Sequence, residues 1–235
     1  MCKILTKFTK QDRMKFISHL ELISVIERAF RRADIPLKFS QGFNPHPKIS
    51  FAAPLSVGVS SEGEYLTVEI QDQIDIDDFK NKVNIELPKG IEFIKCKYID
   101  PKSKALMSIV EDATYIVKCV TKEFYDSGEI DRIIEAFLDK KEILYKKIGK
   151  RKKEKIINIR NYIKSIIVLA KEDNEIILKL TVSTGSQGNL KPEVLVNKLV
   201  ELEKIKIDLD KLKIHRLDIF SSKENKSMVP IDRTI

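Results

Sequence analysis

The apolar residues of this chain change period several times, from every second residue to every third or fourth and back, and the order of those changes restricts the fold more than any single motif. Lys3 to Phe8 reads as a short strand. Ser18-His19-Leu20-Glu21 then forms an S-x-x-E capping box, in which Ser18 accepts from a first-turn N–H and Glu21 reaches back, and it opens a helix to about Ala33. Leu20, Ile23, Ile26 and Phe30 recur at helical spacing, and Arg28, Arg31 and Arg32 suit the negative end of the helix dipole. Ile49 to Leu55 and Tyr65 to Ile70 read as strands. Ile76, Phe79, Val83 and Leu87 mark a second helix stopped by Pro88 and Gly90, and Ile91 to Ile99 returns as a strand. The order is β-α-β-β-α-β.

The second half repeats it with one strand more. Thr114 to Thr121 alternates as a strand, and Ile130, Ile133, Ile134 and Phe137 stripe a helix. Strands fall near Ile143 to Ile148, Ile163 to Ala170 and Glu175 to Ser183. Pro192 opens a helix striped by Leu195, Leu199 and Leu202, and Lys213 to Ser221 is a last strand. The expected fold class is therefore α+β, with two tandem ferredoxin-like (βαββαβ) units, antiparallel sheets carrying helices on one face. The break in the pattern at Pro101-Lys102-Ser103-Lys104 places the units at residues 1–105 and 106–235.

With 43% hydrophobic residues the chain can bury a core, and its formal charge of +8 is unevenly spread. Asp139 to Lys171 holds twelve Lys/Arg against three acids, so the rest of the chain is close to neutral. A basic stretch on a balanced protein favours a polyanion, because each neutralised phosphate releases counterions. Lys146, Lys147, Lys150, Arg151, Lys152 and Lys153 follow Tyr145 and lead to Arg160 and Tyr162. Cations beside aromatics suit looped or single-stranded RNA. Cys2, Cys96 and Cys119 are scattered without a C-x-x-C, which suggests neither a zinc site nor a disulfide framework. No apolar run approaches the ~20 residues of a membrane span, and the amino terminus lacks a signal-peptide pattern. A cytoplasmic protein is expected.

The densest local signal is Ser40-Gln41-Gly42-Phe43-Asn44-Pro45-His46-Pro47-Lys48. Its prolines restrict the residues before them, which suits a binding loop. Gln41 and Asn44 can pair with base edges, Phe43 can stack, and Lys48 offers a charge for phosphate. The alternative is a rigid connector. His46 is the one candidate general base, with no nucleophile spaced to pair with it, and His19 reads as a packing residue or phosphate donor. Ser60 to Glu64 reads as a hairpin turn, with Glu62 and Glu64 a less favoured cation site, and Ser183 to Asn189 as a weak phosphate cradle. No metal site is expected.

The runs FISHLEL (16–22), ERAFRRA (27–33) and IPLKFSQGFNPHPKISF (35–51), followed by SEGEY (61–65), resemble the bacterial radical-SAM-linked domain family of unknown function. The resemblance implies a partner radical-SAM enzyme. This chain has no C-x-x-x-C-x-x-C motif, so the iron–sulfur cluster and S-adenosylmethionine, together with cobalamin in cobalamin-binding partners, would sit on that enzyme. The leading expectation is an accessory module without catalysis of its own that presents tRNA or rRNA to the modifying enzyme. The RNA-binding set is Gln41, Phe43, Asn44, His46, Lys48, Lys150, Arg151, Lys152, Lys153 and Arg160. Two alternatives stand beside it. One is a metal-independent endoribonuclease like the CRISPR repeat-processing enzymes, with His46 as base and Lys48 as clamp. The other is a protein scaffold with no nucleic acid.

Overall fold

A computed structural model describes residues 2–148, 154–185, 188–222 and 228–235. It divides into two compact units, residues 1–112 with 215–235, and residues 113–214. The last twenty-one residues thus belong to the first unit, whereas the sequence pattern assigned them to the second.

In the first unit the chain runs β1 (Cys2–Lys10), α1 (His19–Arg32), β2 (Ile49–Phe51), β3 (Ser60–Ile70), α2 (Ile76–Glu86), β4 (Phe93–Ile99) and the short α3 (Leu106–Ile109). β1 pairs antiparallel with both β3 and β4, and β2 pairs antiparallel with β3, giving the order β4-β1-β3-β2. The capping box is formed. Glu21 N donates to Ser18 Oγ at 3.3 Å and Ser18 N to Glu21 Oε2 at 2.7 Å. Helix α1 buries Leu22, Ile26, Ala29 and Phe30, while Leu20 is 75% exposed, so its inner face is rotated from the Leu20–Ile23 stripe expected from spacing. Those side chains and Phe79 and Val83 of α2 cover Ile4, Phe8, Leu66, Val68 and Ile70. Phe30 sits at the centre, 5.9 Å from Phe79 and 5.8 Å from Phe93.

Alternation turns Leu5 and Tyr65 to the opposite face of the same sheet, where Ala52, Leu106, Val110, Ile219 and Ile231 pack on them. Two of these come from the chain's return: the end of β10 (Ile207–Ser222), β11 (Met228–Pro230) and α6 (Ile231–Thr234). The stretch Ser60 to Glu64, expected as a hairpin turn, is strand instead. It pairs with β1, and Ser60 and Ser61 lie parallel to His215 and Arg216 of β10. Gly63 permits this approach, since a Cβ there would stand 2.4 Å from Leu217 O and 2.6 Å from Asp218 Cα.

A polar network ties the return to the sheet. Lys7 Nζ donates to Asp218 Oδ2 at 2.6 Å, Tyr65 Oη to Asp218 Oδ1 at 2.7 Å, and Lys95 Nζ to Asp232 Oδ2 at 2.8 Å. Burial, then the two aspartates, push the Tyr65 hydroxyl above the ordinary tyrosine value. Burial pushes the Asp232 carboxyl upward, but Lys95, Lys7 and Tyr65 together hold it below the ordinary aspartate value. Its stabilising contribution is therefore complete above the unfolded-state value of 3.8 and is lost as pH falls through the lower folded-state value. Asp232→Asn is expected to cost about 1 kcal/mol at pH 7. Urea titrations from pH 7 downward should show that difference shrinking below pH ~4; a constant difference would remove the carboxylate from this account.

The second unit contains β5 (Asp112–Thr121), of which residues 113–121 belong to it, and then α4 (Ser127–Leu138). β6 (Leu144–Ile148), β7 (Glu154–Asn158), β8 (Ile163–Glu172), β9 (Glu175–Ser183), α5 (Pro192–Glu203) and the first half of β10 follow. Its sheet order is β10-β5-β9-β8. Between α4 and β8 the chain adds a separate two-stranded sheet of β6 and β7, where a single strand at Ile143 to Ile148 was expected. Asp126 caps α4 by accepting from Glu129 N at 2.7 Å, and Pro192 begins α5 where a missing N–H costs nothing. The whole is a mixed α+β protein with mostly antiparallel pairing. Among the described residues no helix is long and apolar enough to cross a membrane.

Candidate nucleic-acid interface

The β6–β7 hairpin is seated at its open end by Asn158, whose Oδ1 accepts from Ile143 N at 3.0 Å and from Arg160 N at 3.1 Å. Arg160 Nε donates to Leu138 O at 2.8 Å and its Nη1 to Ile163 O at 3.4 Å, so its guanidinium clasps the carboxyl end of α4. That geometry uses Arg160 for the fold. Along the hairpin, Tyr145 lies opposite Ile157 and Lys147 opposite Lys155. Period-two alternation places these four on one face and Lys146 on the other, where it pairs with Glu154 at 2.6 Å.

Lys147 and Lys155 are both exposed, and among the described residues neither has a carboxylate at ion-pair distance. Like charges directly opposite on a ladder are destabilising, and a polyanion laid across them reverses that sign. Other lysines of the basic stretch are engaged within the fold: Lys140 pairs with Glu203 at 3.1 Å, and the Lys171 ammonium lies 3.7 Å from the centroid of the Phe124 ring. Lys150, Arg151, Lys152 and Lys153 lie outside the described residues.

Beside this face is a cavity of about 490 Å³ lined by Tyr145, Lys146, Lys147, Ile157, Ile159, Tyr162, Asn189, Leu190, Lys191 and Val194. Two sequence signals meet here. Tyr145 and Tyr162 come from the basic stretch, while Asn189 closes the Ser183 to Asn189 loop that read only as a weak phosphate cradle. That loop is held by Gly185 N donating to Gly188 O at 2.9 Å and Leu190 N donating to Ser183 O at 3.0 Å. The start of α5 is not an anion cradle. Pro192 has no N–H, and the Val194 and Leu195 amides both donate to Lys191 O.

In the first unit the proline-containing loop is a narrow projection. Phe39 bridges Pro47, Ser40 N donates to His46 O at 2.8 Å, and His46 N donates to Ser40 Oγ at 3.0 Å. Gln41, Phe43, Asn44 and His46 are all exposed at its tip, with Phe43 at 112% relative exposure. Lys48 stands apart from them: its ammonium lies 3.4 Å from Glu69 Oε2 at the base of the projection, a carboxylate it shares with Lys38 at 4.0 Å. His19 packs edge-on against Phe51, with centroids 5.2 Å apart, and burial lowers its pKa, with Glu64 opposing and Lys10 assisting. Glu64 is itself buried against Arg216, at 2.7 Å from Nε, so it is counterion to a cation and not half of a cation site.

Burial pushes the Cys119 thiol up to about 12 and, with Thr6 opposing, the Cys96 thiol up to about 11, so neither supplies a thiolate near neutral pH. Among the described residues no group of three or more His, Cys, Asp or Glu side chains is placed to hold a metal ion.

Residues 3–192 match the family described as "Uncharacterized protein conserved in bacteria (DUF2344)". The chain belongs to that family. Comparison of this DUF2344 protein with curated sequences finds no match. Among solved structures it is similar to a chain of a Cbf5-Nop10-Gar1 complex, with TM-score 0.54 and 10% identity over 94% of this chain and 50% of that one. A chain of an archaeal box H/ACA sRNP Nop10-Cbf5 complex gives TM-score 0.48 and 9% identity, over 91% and 46% of the two chains. The DUF2344 chain therefore spans about half the length of these solved chains, and at 10% identity its likeness to the chain of the Cbf5-Nop10-Gar1 complex is one of fold.

Proposed function

We propose that this DUF2344 protein is an RNA-binding accessory module that presents a tRNA or rRNA to a separate modifying enzyme. The observation that carries the reading is the hairpin face on which Lys147 and Lys155 oppose each other beside Tyr145 with no counterion among the described residues. A fold retains such a pair at a cost in stability, and a phosphodiester backbone supplies the missing charge. The exposed Phe43 tip gives the first unit an aromatic contact of its own, flanked by Gln41, Asn44 and His46. Within the same reading, the modifying partner is a radical-SAM enzyme that holds the iron–sulfur cluster and S-adenosylmethionine. The proposal extends to the fold: the shared strand orders β4-β1-β3-β2 and β10-β5-β9-β8 are those of two ferredoxin-like units, the second carrying the hairpin as an insertion. The endoribonuclease alternative would require Lys48 to turn from Glu69, the carboxylate it shares with Lys38, toward a phosphate.

Lys147→Gln with Lys155→Gln is expected to weaken binding of a short single-stranded RNA roughly tenfold, and to reduce the slope of log affinity against log salt by about 1. Fluorescence anisotropy at several salt concentrations measures both. An unchanged slope would remove the hairpin from the RNA interface.

A further inference from the structure

The hairpin face explains attraction to any polyanion, but the cavity beside it has walls that phosphate alone does not need. Its inner lining is apolar, from Ile157, Ile159, Leu190 and Val194, and its two tyrosines are half-buried. A volume of about 490 Å³ lies within the ~300–1,000 Å³ of small-molecule sites. The Tyr162 ring is fixed from the loop side. A Cβ on Gly188 would stand 2.4 Å from the Cε1 atom of that ring, so the loop backbone lies directly against it. At the mouth, Lys147 and Lys191 are exposed cations without carboxylate partners among the described residues. Asn189 is exposed, and its side-chain amide makes no hydrogen bond among the described residues.

We infer that this cavity receives one unpaired nucleotide of an RNA strand. The base enters between the apolar wall and the tyrosine rings, Asn189 addresses its hydrogen-bonding edge with one donor and one acceptor group, and Lys147 and Lys191 hold the flanking phosphates. This chemistry separates a nucleotide from the simpler anions that the lysines alone would attract. Phosphate needs no apolar wall, and a paired base is unavailable for stacking on a side chain. The inference rests on the RNA-binding reading and adds a base-dependent contact to it, at the junction of the hairpin, the Arg160 to Tyr162 turn and the loop before α5.

The test compares a single-stranded hexaribonucleotide with an abasic ribose-phosphate oligomer of the same length, each titrated against the full chain. A free mononucleotide and inorganic phosphate serve as competitors. The oligomer with bases is expected to bind about tenfold to a hundredfold more tightly, in line with one stacked base. The mononucleotide should compete where phosphate at equal concentration does not. Tyr162→Ala should abolish the preference for bases while leaving the salt slope intact. Because that change also removes the ring beneath Gly188, Val194→Phe, which fills the cavity from α5, is a second variant with the same expected result. Equal affinity for the two oligomers overturns the nucleotide pocket and leaves RNA binding standing. Absence of affinity for both overturns the RNA reading itself. Binding of the mononucleotide without either oligomer reassigns the cavity to a free nucleotide and also overturns the inference.

Discussion

Glu64→Gln should destabilise the first unit by about 3–5 kcal/mol, the cost of removing one partner from a buried ionic group. For a chain of this length that is roughly 8–15 °C in melting temperature. The reason lies in the sharing of one carboxylate. Arg216 and Lys10 are each 1% exposed and Glu64 is 3% exposed, so Glu64 is a buried carboxylate that acts on two buried cations. Arg216 Nε and Nη2 both donate to Glu64, Nη2 also to Ala53 O at 3.2 Å, while Lys10 Nζ donates to Ile17 O at 2.8 Å. Burial lowers the Lys10 pKa, Glu64 opposes that shift and Arg216 adds to it. With glutamine in place, the two cations still repel each other and lose the carboxylate they share, while Glu21 acts on Lys10 alone. Arg216→Met, which leaves Lys10 facing Glu64, should cost less, and Glu64→Leu with Arg216→Met should recover much of the loss. Denaturant unfolding of the three variants measures this order. If Glu64→Gln were no worse than Arg216→Met, the carboxylate would not be the shared counterion.

Gly63→Ala is the second large effect, expected at about 2–4 kcal/mol from overpacking against atoms that cannot rotate away. The added carbon would meet Leu217 O and Asp218 Cα, both backbone, so relief requires β10 to draw back from β3. That movement would also pull Asp218 away from Lys7 and Tyr65. Gly128→Ala is the control. It lies in the first turn of α4, its nearest neighbour would be the Asp126 carboxylate at 3.4 Å, and alanine favours a helix, so the change should be neutral or mildly stabilising. Comparable losses at both positions would argue for a general intolerance of alanine over the close strand approach.

The Gly63 result bears on how much of this protein was readable in advance. Ser61-Glu62-Gly63-Glu64-Tyr65 has the composition of a turn, small and charged residues between apolar runs, and turn composition is a local criterion. Its actual state is set by residues more than 150 positions away: Arg216 neutralises Glu64, Asp218 receives Tyr65, and Leu217 needs the space a side chain at Gly63 would fill. The capping box at Ser18 was legible for the opposite reason, since both of its hydrogen bonds lie within three residues. The phase of α1 was less so. Spacing alone allowed Leu20 and Ile23 on the inner face, but the face is chosen by the sheet beneath, which receives Leu22, Ile26 and Phe30.

The candidate interface divides in the same way. Lys147 and Tyr145 belong to a run whose charge is visible at a glance, and the exposed tip from Gln41 to His46 follows from its prolines and glycine. The fates of Lys48 and Arg160 were not visible, because a cation in a list does not reveal the carboxylate or carbonyl it meets. Nor was the pairing of Lys147 with Lys155, which depends on a hairpin register, or the arrival of Asn189 and Lys191 beside Tyr162.

By itself the sequence determined the alternation of strands and helices, the cap that begins α1, and the concentration of positive charge between residues 139 and 171, since these depend on neighbours a few positions apart. Only the tertiary structure decided that residues 215–235 return to the first unit, that Glu64 is a buried counterion, and that distant lysines, tyrosines and an asparagine line one cavity. Those outcomes are settled by burial and by charges brought together across long stretches of chain, and neither leaves a mark in local periodicity.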